Sequence, residues 1–143
     1  MLSRLLLLEI LILLIVLPSP VCSEGLVVIV NNENHSDSLS SDLVSDIYLG
    51  RTKRFPTGEP AKPLDLPKNL SITNDFYTKV VKKSPAQLRA HWSRLVFTGK
   101  GRPPQKLADE LKVKSMVYGD NEMIGYVYEQ TADEEVKIIL NVP

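Results

Sequence analysis

The segment Ser84–Gly99, SPAQLRAHWSRLVFTG, carries the clearest helix signals in the sequence. Ser84 suits the N-cap, Pro85 suits the first helical position, and Gln87 completes a capping box three residues after the cap. Gly99 is placed to end the helix in the left-handed conformation. We therefore predict a helix here, with the other apolar segments of the chain packed around it.

The apolar side chains of this segment fall on one helical stripe. The spacing is i, i+4, i+7 and i+8, which is typical of a buried helix face, and the residues are Leu88, Trp92, Leu95 and Val96. Trp92 is the only tryptophan, and a buried indole supplies more apolar area than most side chains. The stripe predicts that Trp92 anchors the core. The alternative is an indole that stacks on a ligand.

The composition is that of an ordinary folded domain with balanced charge. The 143 residues include 17 Lys plus Arg and 17 Asp plus Glu, so the formal net charge is zero. A nucleic-acid-binding domain is usually basic, and a disordered chain has few apolar residues. The composition therefore argues against a nucleic-acid partner and against disorder.

The first 23 residues have the features of a secretory signal peptide. A positively charged start precedes the apolar run Leu5–Leu17, which is too short for an ordinary transmembrane helix. Cleavage after Ser23 would leave a domain of residues 24–143 without cysteine, because Cys22 is the only one. Lipidation at Cys22 is the alternative, but the residues before it form a poor lipobox. We therefore expect export to the periplasm.

The remaining segments alternate between strand and helix patterns. Leu26–Val30 is a continuous, mostly β-branched run, which is typical of a strand buried on both faces. Further helices are expected after Ser40, after Ser71 as its N-cap, and over Gln105–Val117. Further strands are expected at Ala61–Leu66, Met123–Tyr128 and Val136–Val142. This order of elements predicts an α/β domain.

The residues offer little for catalysis or metal binding. His35 and His91 are the only histidines, and they lack metal-ligand spacing. No serine has an identifiable acid–base partner in the sequence. We therefore predict no metal, no cofactor and no enzymatic activity.

Three segments together resemble the phosphate-type substrate-binding proteins of bacterial ABC transporters. They are Asp46–Leu66 (DIYLGRTKRFPTGEPAKPLDL), Ser84–Pro104 (SPAQLRAHWSRLVFTGKGRPP) and Ile124–Val127 (IGYV). The sequence looks closest to a short, single-domain branch. The resemblance implies one lobe of a type II periplasmic binding protein-like fold, with a mixed sheet flanked by helices. It also implies non-covalent binding of a small anion such as phosphate, with an ABC permease as partner.

The sequence departs from this family where phosphate is held. Full-length members carry a basic residue and then a Ser-Gly-Thr turn at a helix N-terminus, which cradles the phosphate. The corresponding stretch is Asp65–Thr73, DLPKNLSIT, with Asp65 in place of the basic residue. A carboxylate there disfavours a phosphate dianion unless the two share a proton. The remaining candidates for ligand contacts are Lys68, Ser71 and Thr73. The alternative is ordinary N-capping by Ser71 beside a solvated lysine.

Two functions are therefore expected from the sequence. The first is an exported solute-binding domain for a small anion. The second is an interaction or accessory module of the cell envelope that kept the fold and lost the ligand, as a homodimer or as a companion of a membrane protein. Half of a two-lobed cleft buries less of a ligand, which favours the second function.

Overall fold

The computed structural model describes residues 24–143. The expected signal peptide, its cleavage site and Cys22 lie outside the described residues. Among the helices of residues 24–143, none has the length and apolarity needed to cross a membrane.

A five-stranded mixed sheet forms the centre of the fold. In chain order its strands are β1 (Leu26–Asn31), β2 (Lys62–Asp65), β3 (Gln105–Lys106), β4 (Met123–Tyr128) and β5 (Val136–Val142). Their order across the sheet is β3-β2-β4-β1-β5. β1 runs antiparallel to β4 and β5, whereas β2 runs parallel to β3 and β4. The predicted α/β class with a mixed sheet is confirmed.

β1 occupies the position that its apolar run predicts. It lies between β4 and β5, and the residues from Leu26 to Val30 are each no more than 3% exposed. A strand covered on both faces needs apolar side chains pointing both ways, which explains the continuous run.

Within residues 24–143, four α-helices flank the sheet. They are α1 (Ser41–Tyr48), α2 (Ser71–Phe76), α3 (Pro85–Phe97) and α4 (Glu110–Gly119), and a π-helical turn, Tyr77–Val81, directly follows α2. The Ser40 hydroxyl caps α1 by accepting the Leu43 N–H, as expected. Ser71 does not cap α2, because Leu70 holds the N-cap position and no side chain bonds there. The expectation of a Ser71 cap is therefore wrong.

The segment that precedes α4 is also different from the prediction. Gln105 and Lys106 form β3, which pairs with Leu64 and Asp65 on the open side of β2. The helix begins only at Glu110, after an N-cap at Asp109 whose carboxylate accepts the Lys112 N–H. Gln105 and Lys106 form a strand because the edge of β2 that faces away from β4 offers free backbone hydrogen-bonding groups. A local helix pattern in the sequence cannot predict this pairing between distant segments.

The helix α3 forms as predicted but does not organise the core. The capping box at Ser84 and Gln87 is present, and Gly99 ends the helix at φ 68°. However, no residue of α3 is fully buried, Trp92 is half-buried, and Phe97 is 93% exposed. The prediction that Trp92 anchors the core is therefore wrong. Capping signals specify that a helix forms, but they do not specify what it packs against.

Three other aromatic residues fill the core instead. Phe76 stacks on Tyr126 with ring centroids 4.0 Å apart, and Tyr48 meets the Phe76 ring edge-on at 4.6 Å. Each of the three is at most 1% exposed. They belong to α2, β4 and α1, so this cluster joins both helices to the sheet.

Asp65, the last residue of β2, is a buried carboxylate with four hydrogen-bond donors. Its Oδ1 accepts from the Tyr126 hydroxyl at 2.6 Å and from the Leu66 N–H at 2.9 Å. Its Oδ2 accepts from the Tyr77 hydroxyl at 2.9 Å and from Lys106 Nζ at 3.2 Å. Burial, and then the nearby carboxylate charge, raise the pKa of both tyrosines, so both hydroxyls stay protonated. Asp65 thereby fixes the ends of β2 and β3 against β4 and the π-helical turn.

The first prediction concerns Gly125, where α4 lies directly on β4. A Cβ at this position would lie 2.4 Å from Val113 Cγ1, and Val113 is fully buried, so it has no room to yield. Gly125→Ala is expected to lower the free energy of unfolding by about 1–3 kcal/mol, measured by urea denaturation. Gly119→Ala is the matched control, since nothing lies within 4 Å of its added Cβ. Equal stabilities of the two variants would contradict the packing described.

The second prediction concerns Asp65. In Asp65→Asn, an amide N–H₂ replaces one acceptor oxygen and faces donors, so hydrogen bonds are lost in a buried place. The free energy of unfolding is expected to fall by about 2–4 kcal/mol in thermal or urea denaturation. Asp37→Asn, at an exposed position, is the control and is expected to change stability by less than about 0.5 kcal/mol. A wild-type stability for Asp65→Asn would show that the carboxylate does not hold these strands.

Candidate functional site

A cavity of about 860 Å³ lies at the carboxyl ends of the parallel strands β2 and β3. Asp65 and Lys106, the last residues of these strands, line it. The other walls come from α2, the π-helical turn, α3 and the connection that leads into β3. In open α/β sheets, ligands bind in crevices outside the carboxyl ends of the strands. The cavity therefore lies where ligands are bound in other open α/β sheets.

The charges around the cavity are predominantly positive. Five basic side chains line it, namely Lys68, Lys82, Lys83, Arg89 and Lys106. Among the described residues that line it, the only acidic one is Asp65, whose carboxylate already accepts four hydrogen bonds. Several like charges on low-dielectric walls raise the local concentration of ions of opposite sign. The cavity therefore favours an anion.

Apolar groups form a separate part of the lining. α3 contributes Pro85, Leu88 and Trp92, and the connection before β3 contributes Pro103 and Pro104. The cavity thus combines a cationic part with an apolar wall.

Two residues of α3 attach this wall to the end of α1. Trp92 packs against backbone, because a Cβ added to Gly50 would lie only 3.2 Å from its Cη2. Beside it, His91 Nε2 lies 2.7 Å from the Leu49 carbonyl oxygen. A carbonyl oxygen can only accept, so Nε2 carries the proton and donates. His91 therefore positions α3 and is not a free metal ligand.

The π-helical turn places further polar groups at the cavity. The Lys82 N–H donates to the Tyr77 carbonyl oxygen at 2.7 Å, across five residues. Lys82 then adopts φ 58°, a left-handed conformation that costs a non-glycine residue about 1 kcal/mol or more. π-Helical turns occur frequently at functional sites. Tyr77, Thr78 and Lys82 line the cavity from this segment.

The structure places two of the three site residues predicted from the sequence at the cavity. Lys68 and Thr73 line the cavity, whereas Ser71 is exposed and is not part of the lining. The Thr73 hydroxyl donates to the Pro67 carbonyl oxygen at 2.8 Å. Sequence reasoning did not select Arg89 or Lys106. No local pattern could have selected Lys106, because its place at the cavity depends on the pairing of β3 with β2.

Within residues 24–143, no group of three or more His, Cys, Asp or Glu side chains is placed to hold a metal ion.

The sequence matches no protein-family model and no curated protein. Its fold, however, matches solved structures. One is a Clostridium perfringens protein with bound phosphate, provisionally assigned as a phosphate ABC transporter substrate-binding protein, at 18% identity and a TM-score of 0.65. Another is an ABC-type phosphate transport receptor from Vibrio cholerae, at 15% identity and a TM-score of 0.65. A third is PstS from Borrelia burgdorferi, at 10% identity and a TM-score of 0.61.

These matches cover much of this chain but less of the others. Each covers 80% of this chain, and they cover 44%, 45% and 46% of the three structures in the same order. The chain therefore spans less than half the length of the structures it matches. The first two are named for substrate binding and phosphate transport and not for catalysis. At these identities the similarity is one of fold: the chain folds as a single lobe of a periplasmic binding protein-like structure, as its resemblance to phosphate-binding proteins implied.

Proposed function

We propose that the protein binds a small anion such as phosphate, non-covalently and without catalysis, in the cavity at the ends of β2 and β3. The observation that carries this proposal is the charge of the lining, with five basic side chains and a single carboxylate whose hydrogen-bonding capacity is taken up. A positive crevice at the carboxyl ends of parallel strands is suited to capture an anion.

Lys68 and Lys106 are the proposed charged contacts, with Thr73 beside them. Lys106 Nζ lies 3.2 Å from Asp65 Oδ2, and its side chain is 48% exposed, so it can also reach a ligand. Lys68 is exposed at the cavity. Because Asp65 accepts bonds from Tyr77 and Tyr126 as well, its negative charge repels an anion less than a free carboxylate would.

Export and a role in transport belong to the same proposal. The shared fold with phosphate-binding proteins of ABC transporters supports delivery of the anion to a membrane permease. The pattern of residues 1–23 supports secretion by a signal peptide, followed by a domain of residues 24–143 in the periplasm.

The alternative is an interaction or accessory module without a ligand. One observation favours it: α3 exposes Val96 by 54% and Phe97 by 93%. Exposed apolar groups of this kind occur where proteins associate. Self-association into a homodimer would be one form of this alternative.

The third prediction tests anion binding by isothermal titration calorimetry of the purified protein with phosphate. Lys68→Gln removes an exposed charge at the cavity and is expected to weaken phosphate binding about twofold to fivefold. Lys53→Gln is the control, because Lys53 is exposed and does not line the cavity. It removes the same charge and is expected to leave the affinity unchanged.

Absence of heat at millimolar phosphate would contradict the anion proposal. Equal weakening by Lys68→Gln and Lys53→Gln would contradict its location. A concentration-dependent dimer in sedimentation, without any anion binding, would favour the alternative.

A further inference from the structure

The cavity is much larger than inorganic phosphate requires. Its volume of about 860 Å³ falls within the range of about 300–1,000 Å³ that is usual for pockets that hold drug-sized organic molecules. A bare phosphate would contact only a fraction of this lining. The excess volume leaves space for a ligand with a second, larger part.

The chemistry of the lining indicates what that second part is. The ends of β2 and β3 and the segment that follows β2 supply Asp65, Lys106 and Lys68, whereas α3 supplies Pro85, Leu88 and Trp92. Trp92 is half-buried, with one edge against Gly50, so part of the indole is free for a ligand. Indole rings stack well on flat apolar groups. If only phosphate were bound, this apolar wall would remain exposed to solvent.

We propose that the ligand is an organic phosphate, with its phosphate group at Lys68 and Lys106 and a flat apolar group against Leu88 and Trp92. This inference rests on the proposed anion-binding function and specifies its ligand class. The five basic side chains favour a ligand that carries negative charge over a neutral apolar ligand. The apolar wall disfavours inorganic phosphate as the best ligand. An organic phosphate satisfies both parts of the lining.

The fourth prediction compares phenyl phosphate, inorganic phosphate and phenol by calorimetry on the purified protein. Phenyl phosphate is expected to bind about tenfold more tightly than inorganic phosphate, because its ring is removed from water against the wall. Phenol is expected to bind more weakly than phenyl phosphate by a similar factor. The emission of Trp92, the only tryptophan, is expected to shift with phenyl phosphate, which locates the ligand without any variant.

Leu88→Ala tests the wall directly. The substitution is expected to lower the affinity for phenyl phosphate about threefold to tenfold and to leave the affinity for inorganic phosphate unchanged. Leu111→Ala is the matched control, since Leu111 is 67% exposed on α4 and does not line the cavity. It is expected to leave both affinities unchanged.

The outcomes separate this inference from the function on which it rests. Equal affinities for phenyl phosphate and inorganic phosphate would overturn the organic ligand and leave anion binding intact. Binding of neither would overturn both proposals. Phenol binding as tightly as phenyl phosphate would also overturn the inference, because the phosphate group would then contribute nothing to binding. Unchanged Trp92 emission when phenyl phosphate binds would overturn it as well, because the ring would then not contact the apolar wall.

Discussion

The buried carboxylate of Asp65 is the interaction on which the rest of the structure depends. A charge at 4% exposure is costly unless it is paired and hydrogen-bonded. Its donors come from the π-helical turn, from β3, from β4 and from the following backbone N–H. Satisfying one carboxylate therefore fixes three separate segments relative to the end of β2. Asp65, Tyr77 and Lys106, which this network holds together, line one side of the cavity.

The other side of the cavity depends on a helix with few attachments. α3 is held to the end of α1 chiefly by the packing of Trp92 on Gly50 and by the hydrogen bond from His91 to Leu49. Since none of its residues is fully buried, its apolar stripe is shared between the cavity and solvent. Segments with few buried contacts open most readily in folded proteins. The aromatic core, in contrast, is formed by α1, α2 and β4 without a residue of α3.

The sequence difference from phosphate-binding proteins has a structural explanation. A carboxylate stands where the resemblance implies a basic residue, yet it does not face the cavity as a free charge. Tyr77 and Tyr126 donate to it, and Lys106 brings a positive charge to within 3.2 Å of it. The positive character of the cavity is thus supplied by lysines from neighbouring segments. The chain has the fold of one lobe, and the polar side chains at its cavity differ from those that the resemblance implies.

Sequence alone determined the features that depend on neighbouring residues. The caps at Ser40 and Ser84, the helix end at Gly99 and the buried run of β1 all follow from local backbone and solvation preferences. The α/β order followed from these. Lys68, Ser71 and Thr73 were selected as candidates because hydroxyls at an expected helix start beside a lysine can hold an anion.

Only the tertiary structure decided which of these elements meet. Three donors to Asp65 lie 12, 41 and 61 residues away along the chain, so no local pattern announces them. The same is true of β3, which is a strand because β2 offers an open edge, and of Trp92, whose stripe fits a core or a cavity wall equally well. Hydrogen bonding and burial between distant segments settle such choices, because their free energy depends on the whole packed chain.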